Sequence, residues 1–337
     1  MGRINLADSP ISEKTRRLLA SALVWDDHIC MPLRPQDETF LPQLQRAKDS
    51  GYDIVSLNIG FDVKPWENAI LTAATMRRWI KQRPESYVLI ETVADIERSR
   101  QEDKLGVVFD MEGGVSLNGH LPMIQLYYDL GVRWMLLAYN LNNSLAGGCL
   151  DNNMGLTDFG RQVVREMEQV GMAICCSHVS HQTAMEIMEM AENPVIFSHS
   201  NPVGMWDHFR NVQDEAIRAC ADTGGVIGIT GVGDFLGDNE DLAETMARHV
   251  DYVVQLVGPD HVGIGSDYTF DHQEVIDFVK DHPESFDPGK WTEGIPIIDV
   301  ELIPEVADRL SNMNYRDQDI RNILGGNHLR VASQVWK

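Results

Sequence analysis

The chain has 337 residues, 43% of them hydrophobic and 23% charged, which fits a folded globular protein with one broad α/β domain or two modest ones. Its formal net charge of −23 sets the surface against polyphosphate and anionic lipid, excluding nucleic acid and membrane surfaces as partners. Five cysteines, odd in number and scattered apart from the adjacent Cys175 and Cys176, make no disulfide framework and point to a reducing, cytoplasmic setting.

The first twenty residues lack the apolar core of a signal peptide, and Leu6 breaks the myristoylation pattern that Gly2 would open. No apolar run reaches membrane-spanning length. An amphipathic helix is predicted over 12–23. Eight short β-type runs follow, at 23–29, 52–59, 105–111, 133–139, 173–177, 195–198, 226–230 and 262–266. Runs such as VVF, MLLA and VIF read as strands buried on both faces. Helical patterns fall between them at 66–82 with 88–102, then 121–130, 158–169, 181–191, 214–223 and 242–257. Strand–helix alternation repeated eight times predicts an α/β fold, a single (β/α)8 TIM-type barrel. No Gly-rich dinucleotide fingerprint and no linker interrupts it, so residues 1–337 are read as one domain with an N-terminal extension over 1–22. A long irregular stretch at 268–300 would form a loop or lid after the eighth strand, and 303–310 with 316–337 would be closing helices.

Such barrels carry their chemistry at the C-terminal ends of the strands. Reading off those ends gives His28 and Cys30, Asp110 and Glu112, Tyr139, His178, His199 and Asp267. The two near-identical Ser-His endings, at 177–178 and 198–199, place neutral imidazoles on successive strands, a natural start for a metal site. Alternation makes His28 and Cys30 project together, and Glu112 can bridge two ions with its two oxygens. Asp110 is read as a support for a ligand. Cys175 and Cys176 are read as small residues in a crowded strand. His120, His181, His208, His249, His261, His272, His282 and His328 lack a strand-end position and are expected to be exposed or structural.

At these residues the chain resembles the renal (membrane) dipeptidase family, peptidase family M19 of the amidohydrolase superfamily. The resemblance runs from Trp25 to Trp336. It rests on FDMEGG (109–114), RWMLLAYN (133–140), SHVS (177–180), VIFSHS (195–200), RNV (210–212), GIGSD (263–267) and ILGGNHLRV (323–331). It implies two zinc ions, with Glu112 bridging, His178 and His199 holding one ion and His28 with residue 30 the other. It also implies Asp267 as the proton-handling carboxylate, Arg210 as the partner of the substrate's carboxylate, and a homodimer. The activity implied is cleavage of a dipeptide or similar small amide through a metal-bound hydroxide.

Two positions depart from the family pattern. His-x-Asp on strand one is His28-Ile29-Cys30 here, and the usual strand-four His is Tyr139, which can still donate a hydrogen bond to an oxyanion. A Cys30 thiolate would make its ion a weaker Lewis acid, or leave one metal at Glu112, His178 and His199. The alternative expectation is therefore a divergent amidohydrolase acting on an N-acyl or N-methylated amino-acid derivative. A ligand-binding barrel without catalysis is a third expectation, which the retention of Asp267 opposes.

Overall fold

The computed structural model describes residues 10–286 and 290–337. Nine residues of the expected 1–22 extension, and residues 287–289 of the expected 268–300 stretch, lie outside the described residues. Eight strands form the centre: β1 (Trp25–Cys30), β2 (Ile54–Phe61), β3 (Leu105–Glu112), β4 (Val132–Leu136), β5 (Ala173–Cys175), β6 (Ile196–Phe197), β7 (Val226–Ile229) and β8 (Val262–Ile264). Each pairs in parallel with the next, and Ile264 of β8 meets Asp26 of β1, closing the barrel that the alternation predicts.

The barrel's central strands are buried on both faces. Every residue of β2 and β3 is buried. Val55, Leu57 and Ile59 of β2 join Val107, Phe109 and Met111 of β3 in the main core, packed with Ala73, Met76 and Trp79 of the helix Trp66–Lys81. The helix Asp158–Val170 shows why the outer ring forms. The Thr157 hydroxyl accepts from the Gly160 amide at its start, and Gly171 ends it at φ 91°. Its buried Val163, Val164, Met167 and Val170 recur at helical spacing on one face. Their burial stabilises by roughly 6–10 kcal/mol before chain entropy is subtracted, so a charge at Val163 would detach the helix.

The floor of the barrel is filled from the C-terminus. Ala332 packs with Trp25, Ile54 and Val108, while Val331 and Val335 pack with Trp134, Ala173, Ile196 and Val226. The single closing helix expected over 316–337 is in fact broken into Asp317–Arg321, a wide turn at Asn322–Gly326 and Asn327–Val335. Gly325 explains the break: a Cβ there would press on the backbone of Leu23 and Trp25, where the turn meets β1.

Other expected boundaries shift for similar reasons. The helix expected over 88–102 begins only at Val93, after a short strand Tyr87–Leu89 that pairs with the start of β3. Thr92 and Asp95 form a capping box that sets the start. The stretch expected to be irregular holds a strand Tyr268–Thr269 beside β1 and a helix His272–Asp281. No helix among the described residues is long and apolar enough to cross a membrane.

Candidate metal centre

The pairing of β1 with β2 slips by one residue between Asp26 and Ile29. This bulge turns two consecutive side chains toward interior partners: Asp27 accepts from the Ser56 hydroxyl at 3.2 Å, and His28 meets Asp110. His28 Nδ1 stands 3.2 Å from Asp110 Oδ2, which leaves Nε2 aimed at the barrel mouth. There it lies 3.5 Å from Cys30 Sγ, 3.5 Å from Asp267 Oδ1 and 3.6 Å from Glu112 Oε1. The expected common projection of His28 and Cys30 holds, and Asp110 takes the supporting place expected of it.

Opposite them, His178 Nε2 and His199 Nε2 each lie 3.2 Å from the same Glu112 oxygen and 2.8 Å from each other. Both histidines, and Asp267, follow their strands by two or three residues rather than ending them, because β5, β6 and β8 stop early. His178 and Asp267 adopt left-handed backbone, at φ 64° and 61°, as does Asn140 at φ 57°. Left-handed backbone is costly for residues other than glycine and clusters at functional sites.

The outer nitrogen of each imidazole is occupied. Asp110 engages His28 Nδ1, Asn140 Oδ1 lies 2.7 Å from His178 Nδ1, and Ser198 Oγ lies 2.8 Å from His199 Nδ1. Asp110 and Asn140 Oδ1 can only accept, so they favour a proton on Nδ1 of His28 and His178 and turn Nε2 inward, the arrangement of metal-ligating histidines, while Ser198 Oγ can take either role toward His199. Burial holds His178 and His199 well below the ordinary histidine range, with the charges of Arg210 and His28 acting the same way, so both are neutral. Burial pulls His28 down too, but Asp110, Cys30 and Glu112 outweigh it and hold it well above that range. Burial lifts Glu112 to about 8 and the Cys30 thiol to about 12, and it also raises Asp267.

Glu112 Oε1 is buried and receives no hydrogen bond, although Asn58 Nδ2 donates to its partner oxygen at 2.9 Å. Three imidazole Nε2 atoms crowded round an unbonded carboxyl oxygen in one buried spot are a donor set that a cation would satisfy. The donor atoms fit one. His28, Glu112 and His199 form one group whose ligand atoms all lie within 4.8 Å of one another, and His28, Cys30 and Asp267 form another. The residues present thus fit a divalent metal with nitrogen, oxygen and sulfur donors.

Beside this cluster lies a cleft with about 880 Å³ of open space, lined by Cys30, Glu112, Tyr139, His178, Arg210 and Asp267 among others. Arg210 is buried. Its Nη1 donates to Ser200 Oγ at 3.1 Å and its Nη2 to the His199 carbonyl at 2.8 Å, while Nε has no partner. Tyr139 stacks on His178 with ring centres 4.2 Å apart. Burial first, then the charges of Glu112 and Asp267, keep its phenol protonated. All eight site residues read from the sequence therefore border this cleft or the ligand cluster.

Three partners were not predicted. Asn58 holds Glu112, Asn140 holds His178, and Asp62 ties the loops together by accepting from the amides of Val115 (2.9 Å) and Tyr139 (3.1 Å). Asn58 has a signal in the sequence, a polar residue inside the apolar run of β2; Asp62 lies beyond the strand and has none. Two histidines expected to be exposed or structural are buried and structural. His249 meets the Leu236 carbonyl at 3.1 Å, and His328 meets the Ile264 carbonyl at 3.2 Å. Cys175, the last residue of β5, and Cys176 just after it are both buried, as expected of small residues in a crowded place.

A closed parallel barrel with histidine and carboxylate donors at its C-terminal mouth defines an α/β TIM-type barrel with a candidate metal site. The chain belongs to the membrane dipeptidase family, peptidase family M19, whose sequence pattern matches residues 13–283. Dipeptidase 3 of Rattus norvegicus is 28% identical over 276 residues, covering 80% of this chain and 53% of the relative. Dipeptidase 3 of Homo sapiens is 28% identical over 260 residues, covering 75% and 49%. The chain thus spans about half the length of these curated relatives. An amidohydrolase from Pseudomonas aeruginosa superposes with a TM-score of 0.87 at 24% identity, covering 96% of this chain and 99% of its own. A metallo peptidase from Rhodobacter sphaeroides, liganded with a phosphinate mimic of the dipeptide L-Ala-D-Ala, gives 0.76 at 18% identity, covering 94% and 99%.

Proposed function

We propose that this protein is a zinc-dependent hydrolase of small amides that carry a free carboxylate, dipeptides foremost. The observation that carries the reading is the convergence of three Nε2 atoms on the unpartnered Glu112 oxygen. Membership of the membrane dipeptidase family supports it, as does the dipeptide mimic bound by a relative of the same fold.

His178, His199 and Glu112 would hold one ion, and His28, Cys30 and Asp267, with the same Glu112, a second. When bound, zinc supplies Lewis acidity toward the amide carbonyl and a water acidified to a pKa of about 7. The side chains supply the rest. Arg210 takes the substrate's carboxylate on its planar guanidinium, setting the register of the scissile bond. Tyr139, held protonated by burial, donates toward the carbonyl oxygen as negative charge develops there. Asp267 accepts a proton as water adds to the carbonyl carbon, then returns it to the nitrogen as the C–N bond breaks. The products are a carboxylic acid and an amine.

Cys30 favours a second reading. Its sulfur lies 3.5 Å from His28 Nε2, where the family places a carboxylate, and a thiolate there would weaken the ion's Lewis acidity or leave that position empty. An enzyme of this kind would act with one metal on an N-acyl or N-methylated amino-acid derivative. One experiment separates the two. The full chain is purified without chelator, zinc is counted per chain, and a dipeptide panel is assayed beside Cys30→Asp. Two zincs with turnover of several dipeptides is the expected result. One zinc, with dipeptide turnover only in Cys30→Asp, selects the second reading, and a metal-free protein inert toward every amide overturns both.

A further inference from the structure

Six aromatic rings stand in series around the cleft. Phe235 lies 5.6 Å from the Arg210 guanidinium and 5.6 Å from the Trp291 ring centre. Trp291 lies 6.1 Å from Phe286, Phe286 lies 6.2 Å from Tyr139, Tyr139 lies 5.1 Å from Phe61, and Phe61 lies 5.2 Å from Phe278. Each step is within the range of favourable ring–ring contact, so the rings form one continuous wall. All six line the open space of the cleft.

The wall has a direction set by the barrel. Arg210 follows β6, the sixth strand of the closed ring, and Phe61 ends β2, the second. Three strands lie between them in each direction round the ring of eight, so they stand on opposite sides of the mouth with the metal ligands between. A substrate whose carboxylate rests on Arg210 and whose carbonyl reaches the ligands must send its acyl group toward Phe61 and Phe278. Met31 and Leu33, after β1, line the same side.

That side offers little to a charge. Apart from the ligands Glu112 and Asp267, its carboxylate is Glu274. Glu274 already accepts from the Leu33 amide at 3.1 Å and lies 3.5 Å from Arg34 Nη1. Phe278 carries its own cation, Lys64, whose ammonium sits 4.1 Å from the ring. The acyl side is thus apolar, aromatic and charge-balanced before any substrate enters.

We propose that the enzyme selects amides whose acyl group is aromatic, bound against Phe61, Phe278 and the ring wall opposite Arg210. The inference rests on the hydrolase reading above and names its substrate class. Two sources present this chemistry, an aromatic amino-acid residue at the amino end of a dipeptide and a simple aryl-acyl group without an ammonium.

The test uses the zinc-loaded full chain and substrates sharing one carboxyl-terminal alanine: Gly-Ala, Leu-Ala, Phe-Ala, acetyl-alanine and 3-phenylpropanoyl-alanine. The expected result is a kcat/KM for the better phenyl-bearing substrate about 30-fold or more above that of its small counterpart, Gly-Ala or acetyl-alanine, the scale of a filled apolar pocket. Comparing Phe-Ala with 3-phenylpropanoyl-alanine identifies the source. In Phe61→Ala and Phe278→Ala the phenyl-to-small ratio is expected to fall toward one, through KM more than kcat, and Phe278→Leu should restore part of it. Turnover of every substrate at similar kcat/KM, or a ratio untouched by both alanine variants, overturns the inference and leaves the hydrolase reading standing. No turnover of any of the five by zinc-loaded protein overturns the hydrolase reading itself.

Discussion

Asn140 Oδ1 lies 2.7 Å from His178 Nδ1, and the same amide donates through Nδ2 to the Ser285 carbonyl at 2.8 Å. One side chain therefore orients the His178 ring and pins the segment at Ser285 beside the cleft. Asn140 also sits in left-handed backbone, which asparagine tolerates better than most residues.

Asn140→Ala is expected to weaken zinc binding by about 10–100-fold, the usual consequence of removing a ligand's orienting partner. Competition against a chromophoric chelator measures it. Asn140→Asp keeps an acceptor for Nδ1–H and a residue tolerant of this backbone, and should retain most of the affinity. Equal affinity in Asn140→Ala and the parent would refute the assigned role.

If Cys30 ligates, cobalt reports it directly. Cobalt-loaded parent protein is expected to show an intense near-ultraviolet thiolate-to-metal charge-transfer band, absent in Cys30→Ser and in Cys30→Asp. The Cys30→Asp variant should still bind two equivalents, because carboxylate is also a good donor at that place. A spectrum unchanged by Cys30→Ser would show that the sulfur stays outside the coordination sphere.

Arg210 is buried with its Nε unpartnered. Removing its charge in Arg210→Met is expected to lower kcat/KM by about 100-fold, mainly through KM. The methyl ester of the same substrate should lose nothing further in the variant, because the partner charge is already gone. This double comparison isolates the pair. An additive loss would mean that Arg210 acts by shaping the fold.

Asp308 supplies the pH prediction. Its Oδ1 accepts from Ser12 N at 3.0 Å, Ser12 Oγ at 2.7 Å and Thr15 Oγ1 at 2.6 Å, pinning the helix Glu13–Leu19 to the helix Ile303–Asn312. Burial works to raise its pKa, but these hydrogen bonds, Thr15 first, outweigh it and leave it below the ordinary carboxylate value. A depressed carboxylate contributes stability that is present above its unfolded pKa and lost as pH falls through its folded pKa. Asp308→Asn is therefore expected to destabilise by about 1–2 kcal/mol at neutral pH. The difference from the parent should shrink as pH falls below about 4, where the carboxylate begins to protonate in the unfolded chain. Urea unfolding at pH 7 and at low pH reads this out, and a pH-independent difference would count against the charged hydrogen bonds.

The periodicity of the chain determined the barrel, because strands buried on both faces must read as short apolar runs separated by amphipathic helices. It also determined which residues could serve as ligands. His28, Glu112, His178, His199 and Asp267 stand where apolar runs stop, and such interruptions are visible without coordinates. Tertiary structure decided how they meet. The bulge in β1 that aims Asp27 and His28 together depends on register against β2, and register is a relation between strands distant in sequence. The left-handed turns at His178 and Asp267 depend on the loops that hold them. Asn58 and Asn140, which hold Glu112 and His178, and Asp62, which ties the loops together, gain their roles from positions on other strands and loops. Ligand identity is a local chemical property and can be read along the chain, whereas orientation is a product of packing and hydrogen bonds that only the closed barrel brings into range.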